Sequence, residues 1–248
     1  MYKENPKTAG SGIECCIPQS TGCPIGCADC FFQSGRGYLS PLENNLPNMP
    51  DPAEVERKGQ VVRVNDGNDS NVDRDAVVAA VQCFPRRFYN TSIPAHLGDF
   101  DAPVVLTLNP GQHTDVDFYH LADPVPSNIM FVRFRASTWN IGTIGKEAIN
   151  YYTGLRGIPV VLTFMAYFDT ADMIPEDHRK NYVFRKRTLN SYWAITTQAW
   201  MELMSGFRTN ELVYSCGHVE GEIGDTKCKF CGNCLREWHA AMERTQGG

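Results

Sequence analysis

Seven of the ten cysteines in this chain fall into two bunches. Cys23, Cys27 and Cys30 stand as C-x3-C-x2-C in "STGCPIGCADCFFQSGRG", residues 20–37, and Cys216, Cys228, Cys231 and Cys234 lie near the other end. Thiolates are soft ligands suited to zinc or to iron–sulfur clusters, and a closed site of either kind uses four protein donors. The first bunch supplies three, which leaves one coordination position open, as a catalytic metal needs and a structural one does not. The second supplies four and reads as a closed site holding a [4Fe–4S] cluster or zinc. His218 is a substitute for one of those thiolates or a surface histidine. Cys15, Cys16 and Cys83 stand apart and read as small apolar core residues, with Cys15 or Cys16 as the alternative fourth donor to the first bunch.

The elements that must position these thiols follow from the apolar pattern. Strand-length, β-branched runs occur at residues 12–17, 60–64, 87–91, 103–108, 129–136 and 158–168. Stretches suited to helices lie between several of them, at 51–58, at 72–82 after a possible Asn71 cap, and at 143–155; a further helix is expected at 189–204. Strand and helix in alternation argue for a parallel sheet, and "IPVVLTFMAYF" is apolar without alternation, as a strand covered on both faces should be. The expected fold class is therefore α/β, a partial (β/α)6 barrel of parallel strands with a small cysteine-rich C-terminal extension; an open doubly wound sheet is the rival. The expected division is a core at 1–175, a connecting segment and helix at 176–210, and the extension at 211–248.

Composition bounds the rest. With 248 residues, 42% hydrophobic and 21% charged, the chain is long enough for one large core and has the balance of a globular protein. A formal charge of −5 argues against a generally basic, nucleic-acid-coating surface. "MYKENPKTAGSG" lacks the apolar centre of a signal peptide and no run of about 18 apolar residues occurs, so a cytoplasmic protein with no membrane contact is expected. In a reducing compartment, cysteines at short spacings bind metal or do redox chemistry more often than they form disulfides.

Small polar groups cluster where the apolar runs stop: "NDGNDSN" at 65–71, "NTS" at 90–92, "NPGQH" at 109–113, "STWN" at 137–140, and Tyr167 with Asp169. In parallel β/α architectures the loops at the carboxyl ends of the strands line the active site, so the cysteine loop and these clusters should converge on one face.

Cys23-x3-Cys27-x2-Cys30, in a loop after the first strand of a β/α pattern, resembles the signature of the radical S-adenosylmethionine (radical SAM) superfamily. The resemblance implies that the three thiolates hold a [4Fe–4S] cluster whose fourth iron binds S-adenosyl-L-methionine. One electron from the reduced cluster would then cleave the sulfonium to methionine and a 5′-deoxyadenosyl radical, which takes a hydrogen atom from the substrate. It also implies an external electron donor of flavodoxin or ferredoxin type. Two features depart from the family pattern. Asp29 stands where an aromatic residue usually precedes the last cysteine, and Phe31 and Phe32 follow that cysteine instead, as in the activases of glycyl-radical enzymes; Phe31 is the candidate to pack on adenine. Where the family often has Gly-Gly-Glu-Pro to bind the methionine amino end, this chain has Asp66-Gly67-Asn68-Asp69-Ser70, with Asp66 or Asp69 as stand-in carboxylate.

Strand periodicity in "IMFVRFRASTWN" places Arg133, Arg135 and Ser137 on one face. Guanidinium groups pointing into a barrel need anionic partners, such as the methionine carboxylate or an acidic group on a substrate; an exposed strand face with ordinary ion pairs is the plainer alternative. Cys228-x2-Cys231-x2-Cys234 resembles the compact run of ferredoxin-type ligands and the auxiliary-cluster domains of some radical SAM proteins, with Cys216 as fourth ligand. Tyr167, Trp139, His113 and Cys83 are candidates to control the substrate radical. The expected substrate is a peptide or a small acidic metabolite. A nucleotide or nucleic-acid base is the alternative, because "HRKNYVFRKR" interleaves basic and aromatic residues. Two readings of other classes are a non-catalytic iron–sulfur electron carrier and a zinc-stapled nucleic-acid-binding module.

Overall fold

The computed structural model describes residues 1–27, 30, 32–111, 113, 115–121, 123–168, 170–188, 190–217 and 227–246. In chain order its strands are β1 (Ile13–Cys16), β2 (Val61–Val64), β3 (Arg87–Thr91), β4 (Val104–Leu108), β5 (Ile129–Ala136), β6 (Val160–Phe164), β7 (Tyr167–Phe168), β8 (Tyr182–Arg185), β9 (Tyr192–Ile195) and β10 (Val213–Ser215). The first six and β10 form one parallel sheet in the order β1-β2-β3-β4-β5-β6-β10, a partial barrel left open between β1 and β10. All six expected sheet strands are present. The seventh falls inside the segment assigned to the extension, because Val213–Ser215 finds the free edge of β6.

Two other expectations change. The run 158–168 breaks after Phe164, and β7 leaves to pair with β9 in a separate antiparallel sheet of order β7-β9-β8. That sheet also takes Tyr192–Ile195 out of the expected helix, since a β-branched and aromatic stretch with two partners gains more as a strand. The helix there is only α4 below.

Helices α1 (Pro52–Arg57), α2 (Arg74–Ala80), α3 (Ile144–Ile149), α4 (Thr197–Ser205), α5 (Cys228–Cys231) and α6 (Asn233–Gln246) complete the chain. Asp51 caps α1 by accepting from Ala53 N at 3.0 Å, with Pro52 in the first turn. Thr196 caps α4 in the same way, through Ala199 N. Asn71 does not cap α2. Its amide instead donates to the Ile93 and Ala95 carbonyls, and the helix begins at Arg74. The expected helix at 143–155 is α3, loosening into a π-helical stretch at Asn150–Leu155.

The sheet is buried on both sides. Val62, Leu106, Val132, Phe134 and Leu162 face outward into a core with Val55, Val77 and Ile149 of the helices, where each buried Val or Leu is worth about 1.5–3 kcal/mol. On the concave side, Ile13, Val61, Phe88, Val105, Phe131 and Val161 pack against Cys234, Trp238 and Ala241. Thus α6 fills the lower part of the barrel, with the Trp238 indole N–H donating to the Arg87 carbonyl at 3.0 Å. Among the described residues no helix is long and apolar enough to cross a membrane.

Candidate metal and cofactor site

β1 delivers the chain to the cysteine loop at the carboxyl end of the sheet. Ile17 is fixed by reciprocal backbone bonds with Asn48 at 2.9 Å each, and the far end of the loop is anchored by Phe32, buried with Ile17, Leu39 and Leu42. Between these anchors Cys23, Cys27 and Cys30 are half-buried, and the Cys30 amide donates to the Cys27 carbonyl at 3.1 Å. Burial pushes the Cys23 thiol up; a hydrogen bond from the Ile25 backbone opposes this, and the nearby charges of Asp69, Cys27 and Cys30 add to it. A thiol whose ionisation is opposed by burial and by neighbouring sulfurs is a place where a cation stabilises the thiolate. Ala28, Asp29 and Phe31 lie outside the described residues, so the expected adenine contact of Phe31 does too.

The loop after β2 is laced to the cysteine loop. Asn68 Nδ2 donates to the Thr21 carbonyl at 2.8 Å and Gln19 Nε2 to the Asp69 carbonyl at 3.0 Å. Gly67 lets the backbone approach closely, and what approaches is Phe32: a Cβ here would overlap the ring. Neither candidate carboxylate is idle. Asp69 is buried and accepts from Thr91 Oγ1 at 2.6 Å, Ser92 N at 2.6 Å, Ser92 Oγ at 3.0 Å and Asn71 N at 2.9 Å, which ties β3 to this loop. Asp66 pairs with Arg63 and accepts from Asn5 Nδ2. Ser70, fully buried, accepts from Asn65 Nδ2 at 3.1 Å.

Above the apolar layer covered by α6, the concave wall turns polar. Strand alternation and register put Cys15, Arg63, Asn90, Thr107, Arg133, Arg135, Thr163 and Cys216 there. Arg133 Nη1 donates to Asn90 Oδ1 at 3.1 Å, and Arg135 Nε meets Met165 Sδ at 3.0 Å. The inward direction expected for the two arginines is observed. Ser137, expected to share their role, is buried in a turn instead, its Oγ accepting from Asn140 N at 3.2 Å.

Asn90 belongs to the "NTS" cluster expected at this face, whereas Arg63, Thr107 and Thr163 were not singled out in the sequence. The signal available was a polar residue at an alternate position of an otherwise apolar strand, as in "VVRV" and "VVLTF". The Arg63 Nε, Asn65 Oδ1, Asn109 Oδ1 and Thr163 Oγ1 atoms are buried with no hydrogen-bond partner among the described residues, each at a cost of about 1–3 kcal/mol. All four lie on β2, β4 or β6 or in the residue following. A polar ligand in the mouth of the barrel would satisfy such atoms.

The second cysteine bunch, in the C-terminal extension, is tied to both edges of the barrel. The Cys228 amide donates to the Lys7 carbonyl at 2.8 Å, next to β1, and Asn233 Nδ2 to the Ser215 carbonyl at 3.0 Å, on β10. The segment therefore spans the open seam, and Cys216 and Cys234 pack on the concave core. Cys216 and Cys231 are neighbours, and the interaction between their thiols pulls that of Cys231 below its ordinary value while, together with burial, it drives that of Cys216 up. Burial works against the Arg63 charge, but Asp66 and the neighbouring Cys15, Cys228 and Cys234 sulfurs more than offset it and favour the guanidinium. Cys15 therefore lies beside the second bunch; it and Cys16 are buried in β1, as expected for core residues, whereas Cys83, also expected in the core, is exposed in the turn after α2. His218 lies outside the described residues.

The remaining candidates separate. Trp139 and Tyr167 are 5.3 Å apart in an aromatic cluster with His178 and Tyr182 between the barrel and the small sheet. His113, after β4, stacks on Phe118 at 3.7 Å. Among the described residues no three His, Cys, Asp or Glu side chains stand close enough to share one metal ion. No family model, no curated protein and no solved structure matches the chain.

Proposed function

We propose that this protein is a radical SAM enzyme. The observation that carries the reading is the placement of Cys23, Cys27 and Cys30, three thiols without a fourth in their loop, after the first strand of a parallel partial barrel. When bound, a [4Fe–4S] cluster and S-adenosyl-L-methionine supply one-electron cleavage of the sulfonium and a 5′-deoxyadenosyl radical that removes a hydrogen atom from the substrate.

The chain's own residues would do the rest. Cys23, Cys27 and Cys30 would hold the cluster as three thiolate donors, one short of a closed set of four. The backbone of residues 66–70, fixed by Asp69 and Asn68, would line the methionine end of the cofactor, and since both carboxylates already have partners, its carbonyls are the better acceptors for an ammonium. Arg133 and Arg135 offer cationic donors to a carboxylate. The polar wall of Asn90, Thr107 and Thr163 orients what lies between, and α6 keeps water from the floor. Cys216, Cys228, Cys231 and Cys234 would hold a second centre across the seam, for which iron–sulfur is favoured over zinc. The electron comes from a flavodoxin- or ferredoxin-type donor.

The test is anaerobic reconstitution followed by reduction with dithionite in the presence of S-adenosyl-L-methionine. Formation of 5′-deoxyadenosine, lost in Cys23→Ala, is expected, with about eight irons per chain if both centres are cubanes. Absence of 5′-deoxyadenosine from protein that has bound iron would sink the reading.

A further inference from the structure

Residues 178–201 contain five Lys and Arg and not one Asp or Glu, in a chain whose net charge is −5. Much of this stretch is the β8–β9 hairpin, whose tip carries Arg185, Lys186 and Arg187, none of them in an ion pair with another described residue. An open groove runs along Val183 to Thr188.

The hairpin's two faces carry aromatic rings. Phe168, Tyr192 and Arg185 are in register on one face, with Arg36 5.4 Å above the Phe168 ring and Arg187 5.4 Å above Tyr192. Phe184 and Trp193 pair on the other, their centroids 5.4 Å apart, and Phe184 is 42% exposed. The hairpin also sits at the rim of the candidate site. Asn190 Nδ2 donates to the Arg36 carbonyl at 2.9 Å, and Arg36 ends the turn that follows Cys30.

We infer that this hairpin binds a single-stranded polynucleotide and presents it to the mouth of the barrel. Guanidinium groups that alternate with ring faces match a chain whose phosphates and bases alternate, and base stacking needs rings that water can reach. An acidic peptide would use the cations but not the rings. A duplex keeps its bases stacked on each other. That the bound strand is the substrate rests on the radical SAM reading; the binding itself does not.

The experiment is fluorescence anisotropy with labelled single-stranded DNA and RNA oligonucleotides, the matching duplexes and a polyglutamate peptide, over a salt series. It uses both the wild-type chain and Cys23→Ala. Single strands should bind both proteins alike, with log affinity falling linearly in log salt, and the DNA and RNA arms identify the sugar. Arg185→Ala/Arg187→Ala should weaken binding at least tenfold and reduce the salt slope by about 1.4. Tyr192→Ala should weaken it about tenfold with the slope unchanged, and Arg187→Lys should keep the slope. Circular dichroism of each variant controls for folding. The inference is overturned by failure of both single strands to bind at low salt, by equal binding of duplex or polyglutamate, or by variants that bind like wild type. Binding without 5′-deoxyadenosine formation would refute the enzymatic reading alone, and the reverse result would refute this one alone.

Discussion

Gly67→Ala is the substitution whose consequence the packing determines most directly. The Phe32 ring lies between two glycines: a Cβ on Gly37 would come within 2.9 Å of it, and one on Gly67 would overlap it. The ring cannot retreat, because Ile17, Leu39 and Leu42 close the other sides and Phe32 itself is 5% exposed. Overpacking of this kind costs about 1–3 kcal/mol. In a chain of this size that lowers the melting temperature by about 2–12 °C. Phe32 is two residues beyond Cys30, so the relief available is for the cysteine loop to lift, and the Cys30 thiol should then alkylate faster in metal-free protein. Urea unfolding followed by circular dichroism measures the first effect, and timed labelling with mass spectrometry the second. Adding Phe32→Leu should recover part of the lost stability, since the smaller side chain leaves room for the new methyl. If Gly67→Ala stays within about 0.5 kcal/mol of wild type, or the second substitution makes it worse, the clamp described here is wrong.

Three further outcomes are expected. Trp238→Ala removes a buried ring and its bond to the Arg87 carbonyl from the floor of the barrel, and should cost about 3–5 kcal/mol in urea unfolding, with Trp238→Phe costing much less. Asp69→Ala strips four donors of their acceptor, two of them on Ser92, and should cost about 3 kcal/mol or more while loosening the loop that meets the cysteines, seen as faster hydrogen exchange at residues 19–21 and 66–70. Burial pushes Asp101 up, but the Tyr89 hydroxyl and the Arg87 guanidinium outweigh it and leave its pKa below the usual carboxylate value. That contribution is complete above the unfolded pKa of about 3.9 and is lost as pH falls through the lower folded value, so Asp101→Asn should flatten the acid limb of stability measured between about pH 5 and 2.

Much of the architecture is written locally. Unalternated β-branched runs separated by helix-length stretches fix a parallel sheet, because a strand covered on both faces needs apolar residues at every position. The inward turn of Arg133 and Arg135 follows from period two alone, and so does the outward turn of Val132 and Phe134. Cysteine spacing likewise places three thiols within one loop without knowledge of anything distant.

What could not be read locally depends on partners remote in sequence. Val213–Ser215 is too short to announce itself and becomes a strand only because β6 offers an unpaired edge. Tyr192–Ile195 gives up a helix for the same reason, with two strands waiting on either side. Asp66 and Asp69 look like free acceptors in the sequence, whereas Arg63, Asn5, Thr91 and Ser92 claim them in three dimensions. The four C-terminal cysteines read as an appended tail, yet hydrogen bonds to Lys7 and Ser215 draw them across the gap between the first and last strands. Residue types and spacing thus determined which atoms this protein can offer to a metal. Tertiary pairing decided which of its charges were already neutralised, because the satisfaction of a buried polar group depends on what folds against it.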